Sequence, residues 1–189
     1  FWILALINTF FSTTNVYANT FSINDIETGK VFFSGFANVI NACRKCPKFI
    51  IGRVQGKAVG GGVGVASAVD YCVATKFASV KLSELAVGIG PFVVGPAVER
   101  KIGTSAMSQL AIDATEWQTA DWAKQKGLYT EVYDSVEEMD EGIEFLVKER
   151  IIDNVKTGNA ESASSAVPTW VKNNAGWWAD QSRRLHAAC

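Results

Sequence analysis

A run of three glycines, Gly60-Gly61-Gly62, follows an apolar stretch ending at Val59, and a lone carboxylate, Glu84, stands twenty residues after Gly64 in Leu82-Ser83-Glu84-Leu85. Adjacent glycines let the backbone turn tightly and come close to a ligand. A helix starting at that turn leaves its first N–H groups without internal partners, and such a helix start attracts negative charge. It can hold a carbonyl oxygen that becomes an oxyanion during reaction, and Glu84 can move a proton beside it. The pair points to chemistry next to an activated carbonyl. On spacing alone, the glycines serve equally as a tight strand-to-helix turn, and Glu84 reads sooner as a surface or helix-capping acid than as a catalytic one. The run lacks the Gly-x-Gly-x-x-Gly spacing and later ribose-binding acid of a dinucleotide site. No Gly-Lys-Ser/Thr follows, which excludes a phosphate loop.

These groups need a scaffold that alternates short strands and helices. Phe49 to Val54 reads as a buried strand, Gly61 to Val69 as a short helix rich in small residues, and Tyr71 to Ala74 and Ser79 to Leu82 as two more strands. Upstream, a turn is expected at Thr28-Gly29-Lys30, then a short strand at Val31-Phe32-Phe33. A helix follows from Ala37 to Arg44 with Phe36, Val39, Ile40 and Cys43 on one face, ended by Pro47. Gly88-Ile89-Gly90-Pro91 suits a ligand-facing loop. Helices are expected at Val94 to Arg100, Ser105 to Ala114 and Thr119 to Lys126, the last capped by Thr119 and ended by Gly127. Leu128 to Val132 reads as a strand and Val136 to Arg150 as an amphipathic helix.

With 189 residues, 48% of them apolar, one domain with a sizeable core is expected. A net charge of −1 without a basic patch makes nucleic acid an unexpected partner. The cysteines are Cys43, Cys46, Cys72 and Cys189; no second pair and no nearby histidine turns Cys43-x-x-Cys46 into a zinc site, so reduced structural thiols and no metal are expected. The single histidine, His186, lies near the C-terminus, and no nucleophile elbow accompanies it.

The two ends differ in character from the middle. Phe1 to Phe11 is apolar and aromatic, and Asn15-Val16-Tyr17-Ala18 ends on a small residue, as in a secretory signal, but a basic n-region is missing and Asn8 and Thr9 interrupt the run. A buried strand is the preferred reading. Thr157 to Ser165 reads as a linker, and Trp170, Trp177 and Trp178 form a heptad-spaced stripe suited to a packing or subunit-contact helix. The expected organisation is an atypical N-terminal segment (1–36), a core (37–150) and an atypical, possibly helical tail (151–189).

The segment from Cys46 to Gly62, with Lys48, Gly56, Ala58 and the triple glycine, resembles the enoyl-CoA hydratase/isomerase (crotonase) family, which reads Lys-Pro-x-Ile-Ala-x-Val-x-Gly-x-Ala-x-Gly-Gly-Gly there. The likeness continues through Asp70-Tyr71-Cys72-Val73-Ala74-Thr75, Leu82 to Gly88, Arg100-Lys101-Ile102-Gly103 and Thr119 to Leu128, covering about residues 37–150.

The resemblance implies an α/β fold of the crotonase type, a superhelix of repeated β-β-α units, usually assembled as trimers or hexamers. It implies an acyl-CoA thioester substrate, with coenzyme A as part of the substrate and no separate cofactor, in fatty acid metabolism. By the same resemblance the thioester oxygen would bind the amide of Gly61 and a second amide from an earlier loop, for which Ser34-Gly35 is the nearest match. Gly60, Gly62, Gly64, Pro91 and Phe92 would line the substrate. Hydratases of the family use two glutamates. One matches Glu84; the other position holds Gly64, a pattern closer to the double-bond isomerases, and the bulk of Phe92 would narrow the pocket. Asp70 and Glu99 are alternative acids, the first suited to anchoring structure and the second to pairing on a helix face. The function expected is hydration or migration of a C=C bond through an enolate-like intermediate, in the cytoplasm and without membrane partners. The alternatives are a non-catalytic binding or assembly subunit of the same fold and, from the two ends alone, an exported surface protein.

Overall fold

The computed structural model describes residues 26–46 and 49–148. The described residues begin with a twenty-residue helix, α1 (Ile26–Lys45), with Glu27 in its first turn and Arg44 and Lys45 in its last, as the helix dipole favours. It continues through β1 (Ile51–Val54), β2 (Lys57–Val59), α2 (Gly61–Ala68), β3 (Tyr71–Thr75) and β4 (Ser79–Lys81) to a short 3₁₀ turn at Leu85–Val87. Then come α3 (Gly95–Ile112), β5 (Gln118–Thr119), α4 (Ala120–Gln125), β6 (Glu131–Tyr133) and α5 (Val136–Phe145).

Among the described residues the strands form two three-stranded sheets. One has the order β1-β3-β6, parallel throughout; the other has the order β2-β4-β5, parallel between β2 and β4 and antiparallel between β4 and β5. The main core lies around α2, where Val63, Val69, Val80, Leu82, Val98 and Leu110 are buried together. A smaller cluster of Ile51, Val73, Met139 and Ile143 holds α5 on the parallel sheet. On the same side, Arg53 of β1 grips Asp140 of α5 with two hydrogen bonds, Nε to Oδ1 at 2.6 Å and Nη2 to Oδ2 at 3.0 Å.

Two expectations are corrected. Residues 28–33 are not a turn and a strand: α1 runs unbroken from Ile26. Val31-Phe32-Phe33 is a short apolar run that period-2 and period-3.6 readings fit equally well. The helix wins because Phe32, Phe33, Phe36, Ile40 and Cys43 make one helical stripe facing the protein. Likewise, the strand expected from Leu128 starts only at Glu131. Gly127 ends α4 at φ 83°, and the N–H groups of Gly127 and Leu128 donate to the carbonyls of Lys124 (3.0 Å) and Ala123 (2.9 Å). Leu128 and Tyr129 are thus spent on a helix C-cap and on the core. The two helices expected between Val94 and Ala114 are both present: α3 breaks between them at Gly103, whose φ of 80° and ψ of 162° lie outside the helical region.

The N-terminal strand of residues 1–11, the linker, the tryptophan stripe and His186 lie outside the described residues. The boundary expected after residue 36 falls inside α1. Among the described residues no helix is long and apolar enough to cross a membrane, and Cys43, Cys46 and Cys72 are free thiols.

Candidate active site

The glycine run and Glu84 meet through the β2–β4 pair. Val59 lies beside Lys81 in parallel register, so the residues that leave both strands emerge side by side. Gly60 turns the chain at φ 49° and ψ −109°, a conformation that strongly favours glycine, and its N–H donates to the carbonyl of Lys81 at 2.9 Å. Three residues beyond Lys81, the carboxylate of Glu84 arrives against Gly60. A methyl group placed on Gly60 would lie 3.1 Å from Oε1 and 3.7 Å from Oε2.

The backbone of Glu84 is fixed from the other side. Its carbonyl accepts from the N–H groups of Val87 and Ile89, both at 3.1 Å, and Gly88 closes the turn at φ 78°. Among the described residues, Glu84 Oε2 is buried and has no hydrogen-bond partner. Burial pushes the Glu84 carboxyl above its ordinary value, an effect opposed by a hydrogen bond with its own backbone. A carboxylate with an unused oxygen and a raised pKa is suited to accepting and returning a proton.

Beside it begins α2, whose first turn presents the N–H groups of Gly61 and Gly62 without earlier helical carbonyls to bond. The far end of α2 is secured by cations. Lys101 Nζ donates to the carbonyls of Val69 (3.1 Å) and Asp70 (3.0 Å), and Arg100 Nη2 donates to that of Ser67 (3.0 Å). These contacts satisfy the last carbonyls and complement the helix dipole.

Gly60, Gly61, Gly62 and Glu84 open onto one cavity of about 560 Å³. Its remaining wall is largely apolar, with Phe32, Phe33 and Phe36 from α1 on one side and the 87–94 loop on the other. Pro91 and Phe92 lie in that loop and line the cavity. Phe92 is 85% exposed and folds back over Gly90 (a methyl there would lie 2.5 Å from its Cζ), so its bulk sits at the mouth rather than across the interior.

Two residues assigned to substrate lie elsewhere. Gly64 is buried beneath the cavity floor: a methyl group on it would come within 2.6 Å of Val94 Cγ1 and 3.3 Å of Ile40 Cδ1. It is a packing glycine, and its surroundings leave no room for a side chain. Ser34 is exposed, lies within α1 and does not line the cavity. There its N–H belongs to the helical ladder, because the expected loop is a helix. The alternative acids are also remote. Asp70 Oδ2 accepts from the Ile50 N–H at 2.9 Å, and Glu99 Oε1 accepts from the Thr104 hydroxyl at 2.7 Å. The Cys72 thiol is fully buried and pushed up to about 12, which leaves it inert as a nucleophile.

The sequence reading does not place Phe32, Phe33 or Ser83 at a cavity, and it places Phe36 only on one face of a helix. The phenylalanine spacing, i, i+1 and i+4, was the available signal. Phe36 packs so closely on Gly61 that a methyl group there would overlap its ring, lying 2.6 Å from Cδ1.

Comparison with known proteins bears on the family and the fold. Residues 11–166 match the family model described as enoyl-CoA hydratase/isomerase, beyond both limits of the 37–150 span. The chain is 32% identical over 108 residues to the peroxisomal Delta(3,5)-Delta(2,4)-dienoyl-CoA isomerase of Arabidopsis thaliana, covering 55% of this chain and 37% of that protein. It is 35% identical over 83 residues to the bacillaene synthase dehydratase PksH of Bacillus subtilis, covering 40% and 32% respectively. The chain thus spans about a third of the length of these curated relatives. Among solved structures, an enoyl-CoA hydratase/isomerase (crotonase) from Legionella pneumophila superposes with a TM-score of 0.68 at 24% identity, covering 87% of this chain and 65% of that one. An enoyl-CoA hydratase from Mycobacterium smegmatis gives 0.66 at 24% identity, covering 88% and 63%. These likenesses show the crotonase fold, an α/β architecture.

Proposed function

Because this chain belongs to the enoyl-CoA hydratase/isomerase family, we propose that it is an enzyme that shifts a C=C bond along the acyl chain of a CoA thioester, with Glu84 as its single acid–base group. The thioester carbonyl sits at the start of α2, against the N–H groups of Gly61 and Gly62. Glu84 takes a proton from the carbon at one end of the allylic unit. The electron pair moves onto the carbonyl oxygen, where the amides and the helix start stabilise the charge. The dienolate then collapses as Glu84 returns the proton to the other end. No water is consumed, and the carboxylate is regenerated.

One observation supports migration over hydration: the position expected to carry a second glutamate is Gly64, sealed under Val94 and Ile40. Coenzyme A enters as part of the substrate, and no further cofactor is required. A cytoplasmic trimer or hexamer is the assembly we propose on family grounds.

The test is to incubate the protein with a 3-enoyl-CoA in deuterated water and follow formation of the conjugated 2-enoyl thioester and deuterium entry into the acyl chain. Turnover by the wild type and its loss in Glu84→Gln are the expected results. A second reading, a binding subunit without turnover, draws on the helical placement of Ser34, which removes that residue as a second amide donor. Tight thioester binding without conversion would favour it.

A further inference from the structure

Resting on that reading, we infer that the aromatic row of α1 selects thioesters by the length of an unsubstituted hydrocarbon tail, with Phe32 as the specificity-determining residue. The cavity has two unlike ends. The reactive end holds the amide of Gly61 and the carboxylate of Glu84, and Phe36 closes over Gly61 so tightly that no side chain fits between them. Away from that point the wall follows α1 back toward its start. Phe32 meets Phe36 edge-on at 5.5 Å and Phe33 at 5.2 Å. This edge-to-face set presents a continuous apolar surface.

From Phe36 to Phe32 is one turn of helix, about 6 Å along the axis. An acyl group of four carbons engages only the reactive end. An acyl group of eight carbons reaches along the row to Phe32. Among the described residues on the wall, the polar side chains are Lys30, paired with Glu27 at 2.7 Å in an exposed i, i+3 contact, and Ser83 and Glu84 at the reactive end. Against a carboxylate at the far end of the acyl group the phenylalanines offer no hydrogen-bond donor, and Lys30 offers one only in competition with Glu27 and water. Each methylene buried is worth about a fourfold gain in affinity, so the row discriminates by length and against polar tails.

The experiment is equilibrium binding of butyryl-CoA, octanoyl-CoA and an eight-carbon ω-carboxyacyl-CoA to the wild type, to Phe32→Ser and to Phe32→Leu. Octanoyl-CoA is expected to bind the wild type about 10²-fold more tightly than butyryl-CoA, and the carboxylated analogue no better than butyryl-CoA. Phe32→Ser should erase most of the octanoyl advantage and leave butyryl-CoA unchanged; Phe32→Leu should keep it. Equal binding of all three by the wild type would overturn the selection by tail and leave the enzymatic reading standing. A failure of every thioester to bind would overturn both. The wild-type series needs no variant, so a poorly folding substitution does not rescue the idea.

Discussion

Val94 occupies the space that any side chain at position 64 would need: its Cγ1 lies 2.6 Å from where a methyl group on Gly64 would be. The missing second glutamate is therefore a packing fact as well as a sequence fact. Restoring the acid to the sequence does not restore it to the cavity.

It follows that Gly64→Glu destabilises the fold instead of creating a hydratase. Overpacking costs about 1–3 kcal/mol and a buried unpaired carboxylate adds to it. Thermal denaturation should show a marked fall in Tm, with no hydration product from a 2-enoyl-CoA. A folded variant that adds water would contradict the account of Gly64.

Glu84 supplies a pH prediction. Its ordinary value is 4.5, and burial raises it in the folded chain. Between those two values the folded state holds more proton than the unfolded one, so stability falls as pH rises through that window and stays lower above it. Glu84→Gln should remove this step from the pH dependence of urea unfolding. Turnover needs the ionised form, so kcat/KM should rise with pH through the folded value, and the same substitution should lower it by about 10²–10⁴-fold. A rate profile already flat from pH 4.5 upward would contradict the role.

Gly61 and Phe36 form a steric pair. Gly61→Ala should cost about 1–3 kcal/mol through overlap with the ring. Phe36→Ala should cost something of its own, and the double variant should be more stable than the sum of the two losses predicts. Additive losses in a double-mutant cycle would mean that the ring does not set the glycine requirement.

Arg53 and Asp140 carry a prediction away from the cavity. Arg53 is only 8% exposed and makes two hydrogen bonds to Asp140, whose side chain is 53% exposed. Asp140→Ala leaves a buried cation with one partner fewer, at a cost of about 1–3 kcal/mol after allowing for solvent at the carboxylate. The urea midpoint should fall while the KM for an acyl-CoA stays unchanged.

Much of the site was legible from residue order, because local rules govern it. A glycine run after a strand announces a turn with exposed amides, and a parallel β-β pair brings Gly60 and Glu84 together. Ser34 falls elsewhere than expected because a short apolar run does not declare its period, and only packing of the α1 stripe, with Phe36 on Gly61 and Ile40 beside Gly64, selects the helix. The phenylalanine wall stayed hidden for the same reason: a stripe of apolar side chains looks identical whether it faces a neighbour or a cavity.

The stripe on α1 changes partner partway along its length, from open cavity at Phe32 to sealed core at Ile40. Tolerance to mutation should therefore switch within two turns of a single helix. Along the stripe, replacements at Phe32 and Phe33 alter what the protein accepts and leave it folded, whereas a polar replacement at the buried Ile40 is removed by misfolding before any ligand is met. Diversification of such a protein would collect in a few N-terminal codons of that helix.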